Sequence, residues 1–508
     1  MLRLRTAAVA LAAALALGAC TAVNRTPVTL DSTLLRTALQ ADIATFDPDN
    51  NFEVAGLGAI KAVYQGLVSY RPGTTQVEGV LAQSWQVSPD QRTYTFTIRR
   101  GVTFHDGSPM TARSVLASFQ RRSNPKLGLS YFLANVKAMT APDDTTFVVT
   151  LTSPQPSLLD NLSSPWGPKV VGPDALVTHK GADASASYLD EHADGTGPYR
   201  LASFQRGQRY VLERFDRYWG PRPEFDRVQL SIVPDIGQQV LQLRTGELDV
   251  MLHGYPYNQL VALSRDLAIE KYDDLGLEMA FVNPHRNLKD LQVRRLVQAA
   301  ANPAGWVKDA FGGYATPAQS LFPQVMIKPA RPFPFPAAGR ANGTPVEIAY
   351  SSEEASVQQR IADLLIAQLD AAGFQATARA IPGDQVPTFA KKPQDAPDVF
   401  LAQNNPDSAF PGTQTDLFYA TGAPLNIFAY SNPAADALFT KAAATTDKAA
   451  RDATYLQGAR LVFDDAAFVP LADVQDVIVH RVGLTDLGTR PAVPWNIDFG
   501  SVRRGTVG

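Results

Sequence analysis

The sequence predicts an α/β protein with more than one lobe, and three observations point to this class. The chain has 508 residues, which at about 100–200 residues per domain indicates two to four domains or one large unit. Its composition is 45% apolar and 19% charged, with 37 Pro and 35 Gly scattered without a period, which is typical of a loop-rich globular protein. A strand-helix-strand pattern over residues 346–381 predicts a parallel crossover, the repeating unit of α/β folds.

The first 20 residues have the pattern of an export signal that ends in a lipid attachment site. Arg3 and Arg5 precede an apolar run at 7–19, which is shorter than the about 18 residues that a membrane-spanning helix needs. Residues 17–20, Leu-Gly-Ala-Cys, resemble the bacterial lipobox, which implies cleavage before Cys20 and acyl chains on it. We therefore expect a signal peptide at 1–19 and a mature chain anchored by lipid on the periplasmic side of the cell membrane. A plain secretory signal is the alternative.

Strands and helices alternate in the first half of the mature chain. A polar segment at 20–33 predicts a tether. Residues 93–99, in which threonines alternate with apolar side chains, predict a half-buried strand, and Thr111 predicts the N-cap of a following helix. Similar patterns predict further helices and strands: helices at 54–64 and 236–245, and strands at 145–152, 210–215 and 228–233.

The second half has the clearest periodicity. We expect a strand at 346–350, a helix at 353–372 and a strand at 374–381, with Gly373 in the left-handed conformation that ends the helix. Further elements are predicted near the C-terminus: helices at 432–444 and 448–465, and short strands near Val469 and Val477.

Charge and motifs exclude several classes of function. The formal net charge is −3, and the chain has no dense basic run, so nucleic acid is not an expected partner. Cys20 is the only cysteine, which excludes internal disulfides and cysteine-bound zinc. No phosphate-binding loop, zinc-protease motif or nucleophile elbow occurs. We interpret the polar clusters at 105–106 and 190–194 as turns, and we expect no catalytic residue, no metal and no cofactor.

Several motifs together resemble the signature of the peptide/nickel class of ABC-transporter solute-binding proteins, family 5. They follow in order along nearly the whole mature chain: Leu81-Ala82-Gln83-Ser84-Trp85, Ser88-Pro89-Asp90, Arg99-Arg100-Gly101-Val102-Thr103-Phe104-His105-Asp106-Gly107-Ser108-Pro109, Gly195-Thr196-Gly197-Pro198-Tyr199, Tyr218-Trp219-Gly220, Leu243-Arg244-Thr245-Gly246-Glu247-Leu248-Asp249-Val250 and Val293-Arg294-Arg295-Leu296-Val297.

The resemblance implies a periplasmic-binding-protein-like fold, with two α/β lobes around a ligand cleft and an extra α+β domain. We expect lobe I at 34–77, 191–282 and 480–508, the extra domain at 78–190, and lobe II at 283–479. The implied function is that of a monomeric, non-enzymatic component of an ABC importer. It captures a peptide or peptide-like solute for a permease with its ATPase subunits. The alternatives are a carrier of a metal chelate, haem or another non-peptide solute, and a regulatory lipoprotein on the same fold.

The resemblance also implies where ligand is held, and here the sequence departs from its relatives. Relatives bind the amino terminus of a peptide through a carboxylate shortly before an Asp-Pro turn, whereas this chain has amides at 403–405. Because an amide cannot pair with an ammonium charge, we expect a neutral or polyhydroxylated ligand, or a peptide anchored elsewhere. The predicted ligand-binding residues are Asn51, Phe52, Asn283, Gln403, Asn404, Asn405 and Asp407.

Overall fold

The computed structural model describes residues 30–252, 257, 260–352 and 355–505, without the side chains of 261, 355 and 356. The predicted signal peptide and Cys20 lie outside the described residues. In chain order the strands are β1 (Leu34–Leu39), β2 (Val68–Tyr70), β3 (Val77–Gly79), β4 (Ala82–Val87), β5 (Thr93–Ile98), β6 (Val136–Thr140), β7 (Thr146–Leu151), β8 (Tyr199–Gln205), β9 (Arg209–Arg214), β10 (Arg227–Ile232), β11 (Val250–Met251), β12 (Ala268–Val282), β13 (Ala315–Pro317), β14 (Pro345–Ser351), β15 (Gln375–Ile381), β16 (Val399–Asn404), β17 (Phe468–His480), β18 (Leu484–Thr485) and β19 (Arg503–Arg504).

The α-helices are separated by loops and short 3₁₀ or π turns. In chain order they are α1 (Val54–Val63), α2 (Ala112–Arg122), α3 (Leu158–Ser163), α4 (Ala186–Leu189), α5 (Ile236–Thr245), α6 (Leu260–Leu263), α7 (Leu291–Ala300), α8 (Val307–Phe311), α9 (Ala355–Ala371), α10 (Pro411–Gln414), α11 (Pro433–Ala443) and α12 (Lys448–Asp464). No helix in the described ranges has the length and apolar character that a bilayer crossing requires.

One large mixed sheet organises most of the chain. Its strand order is β15-β14-β16-β12-β17-β11-β1-β10-β9-β8, and β13 also pairs with β17. The two long strands β12 and β17 run antiparallel in the middle, with Ala268 opposite His480 and Phe281 opposite Phe468. We call them the crossing strands. They separate a first half-sheet (β1, β8, β9, β10, β11) from a second half-sheet (β14, β15, β16).

Each half-sheet has its own apolar core. Leu35, Tyr199 and Leu230 belong to the core of the first half-sheet. Ile348 and Leu365 belong to the core that packs α9 on the second half-sheet. Burial of apolar side chains is the main stabilising contribution to folding, so each half-sheet is stabilised by a core of its own.

The strand-helix-strand prediction is confirmed in the second half-sheet. Strands β14 and β15 are parallel, with Val346 opposite Ala376, and α9 connects them. Gly373 has φ = 87°, the left-handed conformation that favours glycine. The two short strands predicted near Val469 and Val477 are wrong, since both residues lie in the single strand β17. The apolar and β-branched run there continues across both positions, and β12 pairs with it along most of its length.

A separate four-stranded sheet, ordered β4-β5-β7-β6, carries α2 on one face. Thr111 caps α2 in a capping box with Ser114, as its position predicted. Phe119 of α2 packs edge-on against Phe147 of β7, with ring centroids 5.1 Å apart. The α/β class with a large central sheet is therefore confirmed. The exact domain boundaries stay a prediction, although β12 ends at Val282, beside the expected boundary.

Candidate functional site

A cavity of about 500 Å³ opens at the C-terminal end of β1, next to the crossing strands. This size suits a small-molecule ligand, and the end of a parallel strand is a common binding place in open α/β sheets. Its walls come from three parts of the chain: residues 38–41, residues 52–55, and Leu252 with Trp495 and Asn496.

A more open depression of about 610 Å³ lies at the outer edge of the second half-sheet. Charged groups in its wall neutralise one another, because Glu347 forms ion pairs with both Arg286 and Arg379. The cavity beside the crossing strands is therefore the better candidate for a ligand site.

The loop at 47–53 forms one lip of the cavity, and buried ion pairs hold it in place. Arg121 lies 2.6 Å from Asp47, and Nε of Arg122 lies 2.7 Å from Asp49. Asn51 is buried, and its Nδ2 donates to the carbonyl of Thr45 at 2.9 Å. The sequence pattern placed Asn51 in this loop, and its contacts show that it fixes the loop's shape.

Phe52 lies at the mouth of the cavity. Its side chain is 53% exposed and lines the opening. The indole Nε1 of Trp166 donates to its carbonyl at 3.1 Å, and the ring packs so closely on Gly128 that a Cβ there would clash. The ring is thus held in position and exposed at the cavity, and its role in binding stays a prediction.

Two buried carboxyl groups lie on one face of the crossing strands. Asp476 is opposite Tyr272 in the β12–β17 register, and the Tyr272 hydroxyl donates to its Oδ2 at 3.0 Å. The backbone N–H of Trp495, a cavity residue, donates to the same oxygen at 2.7 Å. Asp274 follows two residues after Tyr272, where the regular pairing of the two strands is interrupted between Asp273 and Leu277. Burial raises the pKa of Asp476 to about 7, and burial together with the nearby charge of Asp476 raises the pKa of Asp274 well above its usual range.

Strand β16 brings some of the predicted amides to this acidic face. Gln403 is opposite Glu278, and its Nε2 lies 3.4 Å from Oδ2 of Asp274. Oδ1 of Asn405 is buried without a hydrogen-bond partner among the described residues. Both amides meet Asp274 around Gly276.

Asn404 points to the opposite face of the same strand. It is opposite Leu277, which belongs to the apolar core that also holds Tyr419. Asn404 is 1% exposed, and neither polar atom of its amide has a regular hydrogen-bond partner in the described chain. Its amide faces the Tyr419 hydroxyl. Burial raises the pKa of that hydroxyl, and the contact with Asn404 offsets part of this rise. The structure therefore separates Asn404 from Gln403 and Asn405.

Asp407 lies where the second half approaches the four-stranded sheet. The hydroxyl of Tyr131 donates to its Oδ2 at 2.7 Å, and burial raises the pKa of Asp407. Close by, the Tyr70 hydroxyl accepts from the N–H of Ala409 at 3.0 Å and donates to Oδ1 of Asp160 at 3.0 Å. These contacts join the two sides of the molecule away from the crossing strands.

Asn283 is fully buried at the end of β12. Its Nδ2 donates to the carbonyls of Pro393 and Pro397, and its Oδ1 accepts from the N–H of His285 at 2.9 Å. These contacts fix a loop beside the second half-sheet, and Asn283 does not line the cavity. Its predicted role in binding stays a prediction.

Sequence reasoning missed Asp274, Asp476 and Trp495. A signal was present for Asp476, because it interrupts the mostly apolar end of β17 and aspartate is seldom fully buried. Asp274 gave none, since the charged residues Glu270, Lys271 and Asp273 precede it in β12. Trp495 gave no such signal, since it follows a run of loop residues whose place depends on the whole fold.

Comparison with known proteins agrees with this architecture. Residues 76–425 match the family described as bacterial extracellular solute-binding proteins, family 5 Middle. The chain belongs to this family. The resemblance inferred from the sequence motifs is therefore confirmed.

Similar proteins include two binding proteins and one solved structure. The probable D,D-dipeptide-binding periplasmic protein DdpA of Escherichia coli K12 is 28% identical over 466 residues, 85% of this chain and 86% of the relative. The glutathione-binding protein GsiB of Shigella dysenteriae serotype 1 is 26% identical over 478 residues, 89% of this chain and 91% of the relative. The ABC transporter substrate binding protein CtaP of Listeria monocytogenes has the same fold, with a TM-score of 0.83 and 21% identity over 94% of this chain and 100% of CtaP.

Proposed function

We propose that this protein captures a small peptide or peptide-like solute outside the cytoplasm and delivers it to the permease of an ABC importer. Membership of family 5 supports the general role, and the names of DdpA and GsiB support a short peptide as the solute. The observation that carries the proposal is the cavity beside the crossing strands, between Phe52 on one wall and Trp495 on another.

The sheet supports a closing mechanism. Within the main sheet, the crossing strands separate two half-sheets that each have a core. A ligand that touches both halves binds the closed form better, and so it shifts the population toward that form. A shift from 1:99 to 99:1 needs about 5.5 kcal/mol of differential affinity. Several hydrogen bonds to a buried solute can supply this difference.

The predicted ligand residues take different parts in this proposal. Phe52 contacts the solute at the mouth of the cavity, and Gln403 and Asn405 contact it from the second half. Asn51 positions the loop that carries Phe52, as its bond to Thr45 indicates. Asp407 takes part in closure through its bond to Tyr131.

We further propose that Cys20 carries the lipid that keeps the protein beside its permease, on the periplasmic side of the cell membrane. The lipobox pattern at 17–20 supports this anchor. Expression of the full chain and of Cys20→Ala tests it. The wild type should remain with membranes and gain the mass of its acyl chains, whereas the variant should not. Equal release of both proteins would contradict the anchor.

Calorimetric titration of the full chain tests capture of a peptide. D-alanyl-D-alanine, glutathione and a set of di- to tetrapeptides are the probes. We expect at least one to bind, and small-angle scattering should then show a smaller radius of gyration with that probe. Failure of every probe to bind would contradict the proposal.

Phe52→Ala is the matching site variant. Removal of an exposed aromatic contact is expected to weaken binding about 10-fold. Leu241→Ala is its control, because Leu241 is also an exposed apolar residue, 61% accessible, and does not line the cavity. Equal affinity of the two variants would show that the ligand does not lie at the mouth of this cavity.

A further inference from the structure

The acidic face of the crossing strands contains a pair of carboxyl groups that no cation among the described residues neutralises. Asp274 is 4% exposed and Asp476 is 1% exposed. Lysine, arginine and histidine side chains in the described part of the chain make no ion pair with either carboxylate. Burying an unpaired carboxylate is costly, and burial accordingly raises the pKa of both groups.

Buried oxygen atoms near this pair lack donors. Oδ1 of Asp476 and Oδ1 of Asn405 have no hydrogen-bond partner within the described residues. The same holds for Oε1 of Gln358, a residue 1% exposed whose Nε2 donates to the carboxylate of Glu278. All three orphaned atoms are acceptors. A ligand that satisfies them must therefore bring hydrogen-bond donors.

Tyr257 lies within electrostatic range of three acids. The carboxylates of Asp476, Glu278 and Asp274 all raise the pKa of its hydroxyl, after the larger effect of burial. Three negative charges within range of one another favour a positively charged ligand group. The described residues contain no cluster of acidic, histidine or cysteine side chains that could hold a metal ion, so we consider an organic cation.

Gly276 lets three polar side-chain groups approach one backbone position closely. A Cβ at this position would lie 2.6 Å from Oδ2 of Asp274 and 3.1 Å from Oδ1 of Asn405, and it would clash with Nε2 of Gln403. The absence of a side chain therefore keeps these three polar groups facing one another. Trp495 connects Asp476 to the cavity, because it lines the cavity and donates its backbone N–H to Asp476.

We propose that Asp274 and Asp476 form a subsite for a positively charged amine of the solute. The inference rests on the proposed function, because it assumes that a solute enters the cavity. An ammonium group donates up to three hydrogen bonds and forms charge-assisted bonds with carboxylates. The acids of the crossing strands would then supply the negative charge for the amine, which the uncharged amides at 403–405 cannot supply. The sequence left open a peptide whose amino terminus is held at a place other than residues 403–405. Asp274 and Asp476 would be that place.

The test compares two ligands that differ only in the amine. D-alanyl-D-alanine and its N-acetylated form are titrated calorimetrically into the full chain, together with glutathione and N-acetylglutathione. Acetylation removes the positive charge, and we expect it to weaken binding by about 100-fold, as for loss of one partner of a buried charge pair. Putrescine, an amine without a carboxylate, should compete weakly for the same place.

Asp274→Asn and Asp476→Asn are the site variants, and Asp273→Asn is their matched control. Asp273 neighbours Asp274 but is exposed, and its carboxylate accepts from Gln475. Each site variant should weaken binding of the amine-bearing probe at least about 30-fold, while the control stays within about twofold. Thermal unfolding confirms that the variants fold. Gly276→Ala is a second variant, which pushes a methyl group against Asp274, Gln403 and Asn405 without removing a charge and should also weaken binding.

The outcomes separate this inference from the proposed function. Tight binding of an amine-bearing probe that acetylation or the Asp→Asn changes do not affect would overturn the subsite and leave the function intact. Binding of neutral probes alone would do the same. Absence of binding by every probe would contradict both.

Discussion

Two places in this molecule bury a pair of aspartates, and they differ in what neutralises them. At the loop that carries Phe52, Arg121 and Arg122 form ion pairs with Asp47 and Asp49. On the crossing strands, Asp274 and Asp476 have no such cation within the described chain. We call these places the paired site and the unpaired site. A buried acid that pairs with a cation of the protein itself stabilises the fold. A buried acid without such a cation is a candidate for binding a positively charged ligand.

The largest effect is expected from breaking the paired site. Arg122 is fully buried, and besides Asp49 it donates to the carbonyls of Trp166 and Gly167. Arg122→Met should lower the free energy of unfolding by about 3–5 kcal/mol, because it leaves a buried carboxylate with less counter-charge. Urea unfolding measures the change. A loss below about 1 kcal/mol would show that the pair adds little to stability.

Neutralising an acid of the unpaired site should raise the free energy of unfolding rather than lower it. The pKa of Asp476 is about 7 in the folded chain, above its ordinary value of 3.8. The folded state therefore holds a proton that the unfolded state loses, and the stability from this group is lost as pH rises from about 4 to about 7.

Unfolding of the empty protein at pH 5 and at pH 8 tests this sign. Asp476→Asn should raise the free energy of unfolding at both pH values, and more at pH 8 than at pH 5 by on the order of 2 kcal/mol, because the folded carboxyl still holds its proton at pH 5. Asp273→Asn serves as the control on the exposed face. Destabilisation of Asp476→Asn at pH 8 would show that its carboxylate is favourably paired there.

A smaller effect should distinguish the two faces of β16. Gln403 reaches the unpaired site, whereas Asn404 faces the core of the second half. Gln403→Ala should weaken binding of the amine-bearing probe about 10-fold, the value of one lost hydrogen bond to a charged partner. Asn404→Ala should leave the affinity within about twofold. The reverse order would place the ligand on the other face of the strand.

The smallest effect is expected at the contact between Tyr131 and Asp407. Tyr131 is 48% exposed, so its hydrogen bond lies near solvent. Tyr131→Phe removes the hydroxyl and keeps the ring. We expect about a threefold loss of affinity and a small rise in the radius of gyration of the loaded protein, since a near-surface hydrogen bond contributes about 0.5–1 kcal/mol. Unchanged values for both would show that this contact does not favour closure.

Much of the fold was predictable because local patterns agreed with it. The alternation at 93–99 became β5, Thr111 became the cap of α2, and Gly373 adopted a positive φ. At these positions the nearest neighbours in sequence decide the conformation. The prediction near Val469 and Val477 was wrong because strand length depends on the partner strand, and β12 lies far away in sequence.

The candidate site was predictable only in part. The motif that located the 403–405 amides could not say which of them share a face with acids, since that depends on register with β12. Asn51 and Phe52 are adjacent in sequence, yet one is buried and the other is exposed at the cavity. Neighbouring residues of a strand point to opposite faces, and adjacent loop residues can also differ in direction. The pattern of residue types does not show which residue faces which way.

By itself, the sequence determined the α/β class, the order of most elements and the family, because these depend on periodicity, on caps and on motifs that lie within short segments. Only the tertiary structure decided which charges meet. Asp274 and Asp476 are 202 positions apart in the chain, and they come close because Asp476 pairs with Tyr272, two residues before Asp274. Their proximity, and the absence of a cation between them among the described residues, follow from strand pairing across the middle of the sheet, which no local pattern encodes.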